Sequence, residues 1–426
     1  MTVNDRRIFE FLDAQAGHQA PDYLPDILTT TARTRQRPAW TSIERVLPVD
    51  ISASRAGLAR PLRLRPLLAL IVVALLLAAV VAASVATRRQ LPPPFGLARN
   101  GLLLSSGNGD IVVVDPVTLA RRTVIGGDTF DFGPTFSRDG TKFIFLRGAP
   151  SDCGEPDCGL SLMTANADGS GVRQLTPGLP ALDWQDWSPD GTRIAIDAAP
   201  PTGAGHVLII VNADGSGMRT LDVGRPIHEL SWLPPTGAEI VFRGEQLDRS
   251  DPTPAILAVH PDGTGLRTLT TRPAHSSNDF QGVAVSPDGN LVAYRDDGDP
   301  NGFQQHILDL RTGADRILQG PPGQFGAIFS PDGTKVAFLR GVPTDKVRLV
   351  VALVDGSGPG LELGPAAPFG SDGPTINNYT WSPDGTALLA NYDDDKVARL
   401  LPINGSPPID LDHGDVALPA YQRLAP

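Results

Sequence analysis

Histidine, serine and carboxylate side chains are the groups of this chain that could bind a metal or act as a nucleophile. The histidines show no metal-ligand spacing, so each is predicted to lie in a loop or turn. No Gly-x-Ser-x-Gly sequence, which positions the nucleophile of many hydrolases, occurs in the chain. The sequence therefore predicts no catalytic residue, no cofactor and no enzyme. The seven histidines are His18, His206, His228, His260, His275, His306 and His413.

One acidic stretch has the spacing of a cation loop. Asp297, Asp299 and Asn301 follow the Asp-x-Asp-x-Asn-Gly opening of a calcium loop. The twelfth position is Leu308 rather than glutamate, so the bidentate ligand is lacking. The stretch is a calcium candidate, and the alternative is an acidic hairpin loop.

The two cysteines of the chain lie close together in one segment. Cys153 and Cys158 are separated by a stretch that contains glycine and proline, which favour a tight reversal of the backbone. A metal site would need more ligands than this segment contains. We therefore predict a disulfide between Cys153 and Cys158, formed in an oxidising compartment.

A short turn motif recurs along the chain and indicates which elements carry these groups. The copy Ser382-Pro383-Asp384-Gly385 has the residues of a type I turn and is followed by the apolar run 387–390. Such a turn between apolar runs predicts a hairpin of two antiparallel strands. Asp384 and its equivalents resemble a carboxylate array, but their place in the turn explains them. The equivalent aspartates are Asp190, Asp288 and Asp332.

The turns recur every 40 to 53 residues, and a second turn of the type Asp214-Gly215-Ser216-Gly217 lies between them. Each repeat is therefore predicted to contain four strands, in an array whose units cannot bury their faces alone. We predict an all-β fold with a seven-bladed propeller over residues 100–426. The C-terminal strand 418–424 is expected to complete the first blade and close the ring. The alternative has six blades, with the degenerate repeat at Trp232 absorbed into an insertion.

The two turn motifs together carry a family resemblance. The chain resembles the Pro-Asp variant of WD40-like repeat proteins, found in TolB-type propellers and in propellers attached to prolyl oligopeptidases. The resemblance covers about residues 100–426. It implies the propeller fold and a location outside the cytoplasm.

Because strand direction alternates within each blade, the loops that differ most from one repeat to the next lie on one face of the predicted propeller. They combine aromatic, amide and acidic groups, as binding surfaces do. We predict that a protein or small ligand binds at this face. The candidate residues are Asp183, Trp184, Asp186, His228, Glu229, Asn278, Asp279, Asn377, Asn378 and Tyr379.

The segment before the propeller has a different composition. Residues 66–86 contain no charged residue and are flanked by arginines, which predicts one transmembrane helix. Residues 1–60 are interpreted as a cytosolic segment that either forms short helices or is partly disordered. Residues 91–96 are interpreted as a proline-rich spacer. The N-terminus is predicted to be cytoplasmic and the propeller to lie outside the cytoplasm, at the plasma membrane.

The negative charge of the propeller region argues against a nucleic-acid partner, and two hypotheses of function remain. Residues 66–426 carry a net charge of −14, which argues against nucleic acid. The first hypothesis is a non-catalytic, membrane-anchored binding scaffold. The alternative is a transmembrane sensor, similar to anti-sigma regulators, whose residues 1–60 hold a cytosolic partner.

Overall fold

The computed structural model describes most of the chain after residue 94. The described residues are 95–148, 159–200, 205–224, 227–245, 254–270, 283–296, 304–343, 345–358, 360–370, 373–374, 376–392, 397–413 and 417–425. Within these ranges no helix is long and apolar enough to cross a membrane. The segment 1–60, the predicted span 66–86, most of the spacer 91–96 and the pair Cys153 and Cys158 lie outside them. The calcium candidate Asp297, Asp299 and Asn301 lies outside them too.

In the described residues, 29 strands form seven antiparallel sheets, which are the blades of a propeller. Given from the innermost strand outward, blade I contains β29 (Ala417–Leu424), β1 (Arg99–Gly107), β2 (Asp110–Val114) and β3 (Arg121–Ile125). Blade II contains β4 (Phe130–Phe136), β5 (Lys142–Gly148), β6 (Ser161–Asn166) and β7 (Arg173–Gln174). Blade III contains β8 (Leu182–Trp187), β9 (Arg193–Ala198), β10 (Val207–Asn212) and β11 (Arg219–Leu221).

The remaining blades repeat this order. Blade IV contains β12 (His228–Trp232), β13 (Ile240–Glu245), β14 (Pro254–Val259) and β15 (Arg267–Thr270). Blade V contains β16 (Val283–Val285), β17 (Leu291–Asp296), β18 (Gln304–Asp309) and β19 (Asp315–Ile317). Blade VI contains β20 (Gln324–Phe329), β21 (Lys335–Val342), β22 (Lys346–Leu353), β23 (Leu361–Gly370) and the added β24 (Gly373–Pro374). Blade VII contains β25 (Ile376–Trp381), β26 (Ala387–Tyr392), β27 (Val397–Pro402) and β28 (Ile409–His413).

The number of blades and the closure of the ring agree with the prediction. The repeat at Trp232 forms blade IV, so the six-bladed alternative is wrong. Strand β29 pairs antiparallel with β1, and Tyr421 lies opposite Leu103 in this ladder. Blade I is therefore built from both ends of the propeller sequence.

The hydrophobic core is divided among the contacts between neighbouring blades. One cluster of buried apolar side chains lies at each of the seven contacts in the described residues. The tryptophans of the turn motif add hydrogen bonds across these contacts, because an indole N–H is stabilised by an acceptor when buried. Trp187 Nε1 donates to the Thr135 carbonyl of blade II at 3.3 Å, and Trp232 Nε1 donates to the Asp186 carbonyl of blade III at 3.1 Å.

Candidate functional site

The innermost strands of all seven blades surround a central channel of about 700 Å³. We call the end of the channel at the Ser-Pro-Asp-Gly turns its bottom end. Phe95 and Gly96 lie there, with the Arg138 guanidinium 4.8 Å from the centre of the Phe95 ring. Arg423 Nη2 donates to the Gly96 carbonyl at 2.8 Å. The top end is where the chain enters each innermost strand.

Three ligand-type side chains of blade III converge at this top end. Asp183 is the second residue of β8, Asp197 lies near the end of β9, and His206 immediately precedes β10. One ligand atom from each lies within 4.8 Å of the others. His206 Nδ1 is 2.7 Å from Asp197 Oδ1 and 3.5 Å from Asp183 Oδ2. We call this group the Asp-Asp-His cluster.

The members of the Asp-Asp-His cluster differ in their contact with solvent. The side chain of Asp197 is 2% exposed, that of His206 is 21% exposed and that of Asp183 is 56% exposed. Burial raises the pKa of Asp197 to about 7, and the attraction of His206 opposes this increase. The charges of Asp183 and Glu229 raise it further. The cluster is therefore closed on the protein side and open toward the channel, which Asp183 lines.

Blade IV supplies the neighbouring side chains. The ring of His228 lies 5.7 Å from the ring of His206, measured between centroids, with 42° between the planes. Glu229 has a φ of 50°, in the left-handed region, and its Oε2 is 3.2 Å from Arg243 Nε. This buried ion pair fixes the entry of β12 next to the Asp-Asp-His cluster.

The structure separates the other predicted binding residues by role. Trp184 lines the channel and is partly buried against the core between blades III and IV. Asp186 accepts hydrogen bonds from Trp232 N at 3.0 Å and Ser231 Oγ at 3.1 Å, so it joins blades III and IV. Tyr379 is buried and donates to the Gly326 carbonyl of blade VI. Asn378 lines the channel.

Three predicted binding residues cannot be placed in this way. Asn278 and Asp279 lie outside the described residues, and of Asn377 only the backbone, in β25, is described.

Sequence reasoning missed Asp197 and His206 as site residues. Asp197 lies in β9 and His206 in the loop before β10, so no short spacing in the sequence connects them with Asp183. The available signal was an acid at the end of an apolar strand, after Ile194, Ala195 and Ile196.

The prediction that each histidine lies in a loop or turn is wrong for His228, His306 and His413, which lie in strands β12, β18 and β28. His306 is buried, with Nδ1 3.0 Å from Asp315 Oδ1 and Nε2 3.6 Å from Asp296 Oδ2. Two carboxylates can hold an imidazole inside a blade. The spacing of histidines in the sequence does not reveal such carboxylate partners, because they lie on neighbouring strands.

Comparison with known proteins identifies the fold. No protein-family profile matches the chain, and no curated protein is significantly similar in sequence. Solved structures do match. A prolyl endopeptidase structure gives a TM-score of 0.53 at 11% identity, over 76% of this chain and 52% of that chain. TolB from Acinetobacter baumannii gives a TM-score of 0.47 at 14% identity, over 75% of this chain and 81% of that chain.

A further match is an oligogalacturonate lyase in complex with manganese, with a TM-score of 0.49 at 17% identity, over 59% of this chain and 73% of that chain. At these identities the likeness is one of fold. The match to the prolyl endopeptidase covers about half of that chain.

The match to the prolyl endopeptidase corrects two predictions, namely that the chain is a non-catalytic scaffold and that it is not an enzyme. An enzyme shares this fold, as the prolyl endopeptidase structure illustrates. The reasoning failed because it took the absence of one serine motif as evidence against catalysis, and catalytic groups need no short sequence motif. The sensor alternative concerned residues 1–60, which lie outside the described part of the chain.

Proposed function

We propose that the chain takes up a peptide substrate or ligand, and that the peptide enters the central channel from its top end. The observation that carries this proposal is the wall of the channel, which is made by the innermost strands of seven sheets. In the described residues each innermost strand pairs with a second strand on its outer side, and no further strand pairs with its inner edge. Exposed strand edges present backbone N–H and C=O groups, which are the groups that recognise an extended peptide.

The size and the two ends of the channel support the same proposal. A volume of about 700 Å³ lies in the usual range of ligand sites, roughly 300–1,000 Å³. Phe95 and Gly96 lie at the bottom end, which favours entry of the peptide from the top end. Trp184 and Asn378, on blades III and VII, offer an aromatic face and an amide to a peptide on this route. The prolyl endopeptidase match is consistent with a propeller that serves peptide chemistry.

The proposal is tested by narrowing the channel. Ala284, on the innermost strand of blade V, lines the channel, and Ala284→Trp would fill part of it. The probe is a tryptic digest of casein, equilibrated across a dialysis membrane with the full-length protein and quantified by mass spectrometry. We expect selective retention of a subset of peptides, reduced about tenfold or more by Ala284→Trp. The matched control is Ala120→Trp, at an exposed position in blade I outside the channel.

Two results would overturn the peptide proposal. One is that no peptide is retained by a protein with a normal melting transition. The other is that Ala284→Trp retains the same peptides as the parent protein.

We also propose that residues 66–86 anchor the propeller in the plasma membrane, with the N-terminus in the cytoplasm. This rests on 21 residues without a charge, enough to cross a bilayer core of about 30 Å, and on the flanking arginines Arg63, Arg65, Arg88 and Arg89. Alkaline phosphatase fused after Pro426 should then be active, because it folds only outside the cytoplasm. An inactive phosphatase fusion, together with a fluorescent cytoplasmic reporter at the same position, would contradict this placement.

A further inference from the structure

The Asp-Asp-His cluster brings two carboxylates to one imidazole nitrogen. His206 Nδ1 faces Asp197 Oδ1 at 2.7 Å and Asp183 Oδ2 at 3.5 Å. A single proton on Nδ1 makes a good hydrogen bond with Asp197, but 3.5 Å is too long for a comparable bond with Asp183. Three donor atoms that converge in this way suit a cation with more than one coordination position.

We propose that Asp183, Asp197 and His206 bind one divalent transition-metal ion of the zinc or manganese class at the top end of the channel. This inference goes beyond the proposed peptide function and does not depend on it. The donor set favours that class, because an imidazole ligand suits zinc and other transition metals, whereas calcium and magnesium prefer oxygen ligands alone.

The distances agree with a three-residue site. Metal bonds of about 2.0–2.2 Å in tetrahedral geometry place ligand atoms about 3.3–3.6 Å apart. The separation of His206 Nδ1 from Asp183 Oδ2 already has this value at 3.5 Å. The separation of His206 Nδ1 from Asp197 Oδ1 is 2.7 Å and has to widen as the metal replaces the proton. His206 precedes β10 in a loop, so its ring can make this adjustment without breaking a strand.

The surroundings of the site favour a reactive metal over a structural one. Three protein ligands with an open fourth position are typical of catalytic zinc, whereas structural zinc is enclosed by four. Asp197 closes one side of the site, while Asp183 is exposed and lines the channel. The ring of His228, on the adjacent blade, lies 5.7 Å from the ring of His206 between centroids, so His228 borders the site without joining the three ligands. A metal here would polarise a carbonyl group presented from the channel.

The test uses the full-length protein, stripped with chelator and then titrated with Zn²⁺, Mn²⁺ or Co²⁺ alone. We expect one equivalent of metal to bind and Co²⁺ to give a visible absorption spectrum of a nitrogen- and oxygen-ligated ion. Asp183→Asn is the main variant because its side chain is exposed, so it should fold normally. It should weaken binding more than about 100-fold, since changes outside the ligand set alone cost about 10–100-fold.

The remaining variants separate this site from other metal ligands of the chain. His206→Gln should also abolish the Co²⁺ spectrum. The matched control is His260→Gln, an exposed histidine in a turn of blade IV, which should bind one equivalent as before. All variants are also measured with Cys153 and Cys158 changed to serine, so that a thiol site cannot account for the metal.

The proposal is wrong if the folded protein binds none of the three ions. It is also wrong if Asp183→Asn and His206→Gln bind metal as tightly as the parent protein. Peptide retention is to be measured with chelator added to the dialysis, so neither result bears on it and the two proposals fail separately.

Discussion

Asp190 illustrates how one side chain closes the hairpins that carry the Ser-Pro-Asp-Gly turn. Its Oδ1 accepts hydrogen bonds from Ser188 Oγ at 2.6 Å, Thr192 Oγ1 at 2.8 Å and Thr192 N at 3.0 Å. Asp332 and Asp384 accept the same three bonds in blades VI and VII. The carboxylate therefore holds the turn from within, and the prediction of a turn role agrees with these contacts.

The first prediction concerns the pH dependence of this turn. Burial acts to raise the pKa of Asp190, but the hydrogen bonds from Ser188 and Thr192 outweigh it and leave the pKa below 3.8. A carboxyl whose folded-state pKa is lowered stabilises the fold above its unfolded pKa, and this stabilisation is lost as pH falls through the folded pKa. Asp190 is exposed, so solvent screens part of this gain, and Asp190→Ala should reduce the free energy of unfolding by about 0.5–1 kcal/mol at pH 7.

The measurement is urea unfolding at pH 7 and pH 3, and the effect of Asp190→Ala should shrink at pH 3. Asp128→Ala, at an exposed acid before β4, is the control and should have little effect at either pH. An equal loss from Asp190→Ala at both values would show that the charge of the carboxylate is not involved.

The second prediction is the disulfide between Cys153 and Cys158, which lies outside the described residues. If the propeller folds in an oxidising compartment, both thiols should be protected from iodoacetamide until a reductant is added. Labelling of both thiols in the native, unreduced protein would refute the bridge.

Strands β4 and β5 are joined at the top of blade II by a buried ion pair. Arg147 Nε is 2.7 Å from Asp131 Oδ1, and Arg147 Nη2 donates to Asp131 Oδ2 at 2.8 Å. Hydrogen bonding by Asp131 raises the pKa of Arg147. The side chain of Asp131 has no solvent exposure and depends on this guanidinium as its counter-ion, while Thr129 Oγ1 donates a further hydrogen bond at 3.3 Å.

The third prediction follows from that dependence. Arg147→Ala leaves the Asp131 carboxylate buried without its cation, so the free energy of unfolding should fall by about 3 kcal/mol. Adding Asp131→Ala should recover part of the loss. The control Arg311→Ala breaks an exposed pair with Asp309 and should cost less than about 1 kcal/mol. If both arginine variants unfold at the same urea concentration, the buried pair does not stabilise blade II.

The sequence predicted the strands better than the site, for a physical reason. A hairpin is encoded by adjacent residues, so the turn at Asp190 located both β8 and β9. The Asp-Asp-His cluster is assembled from two strands of blade III and the loop before β10, and strand pairing, which places Asp197 opposite Trp184, determines it. The structural role of Asp186 likewise depends on Trp232 of the next blade.

Closure of the ring is a property of the whole propeller. Tyr421 of β29 packs in the cluster between blades VII and I, with Leu103 and Leu389. Gln422 Nε2 donates to the Gly140 carbonyl at the bottom of blade II. One strand thus stabilises blade I and its contacts with both neighbouring blades.

The fourth prediction is that removing residues 417–426 opens the ring. The deletion leaves the inner edge of β1 unpaired and exposes the apolar cluster around Leu103, so we expect a melting temperature lower by at least about 10 °C and association on size-exclusion chromatography. Removing only residues 425 and 426 is the control. A deleted protein that stays monomeric and melts like the parent would contradict this account of closure.

The pairing of β1 with β29 also sets an order of events during synthesis. Leu102 N lies 3.4 Å from Gln422 Oε1, a partner 320 positions later in the chain. A ribosome that adds roughly 5–20 residues per second makes the first strand wait about 16 to 64 seconds for its partner. Through this interval the nascent chain presents an open sheet edge, so a chaperone that covers extended strands would act on this protein before its last strand is made.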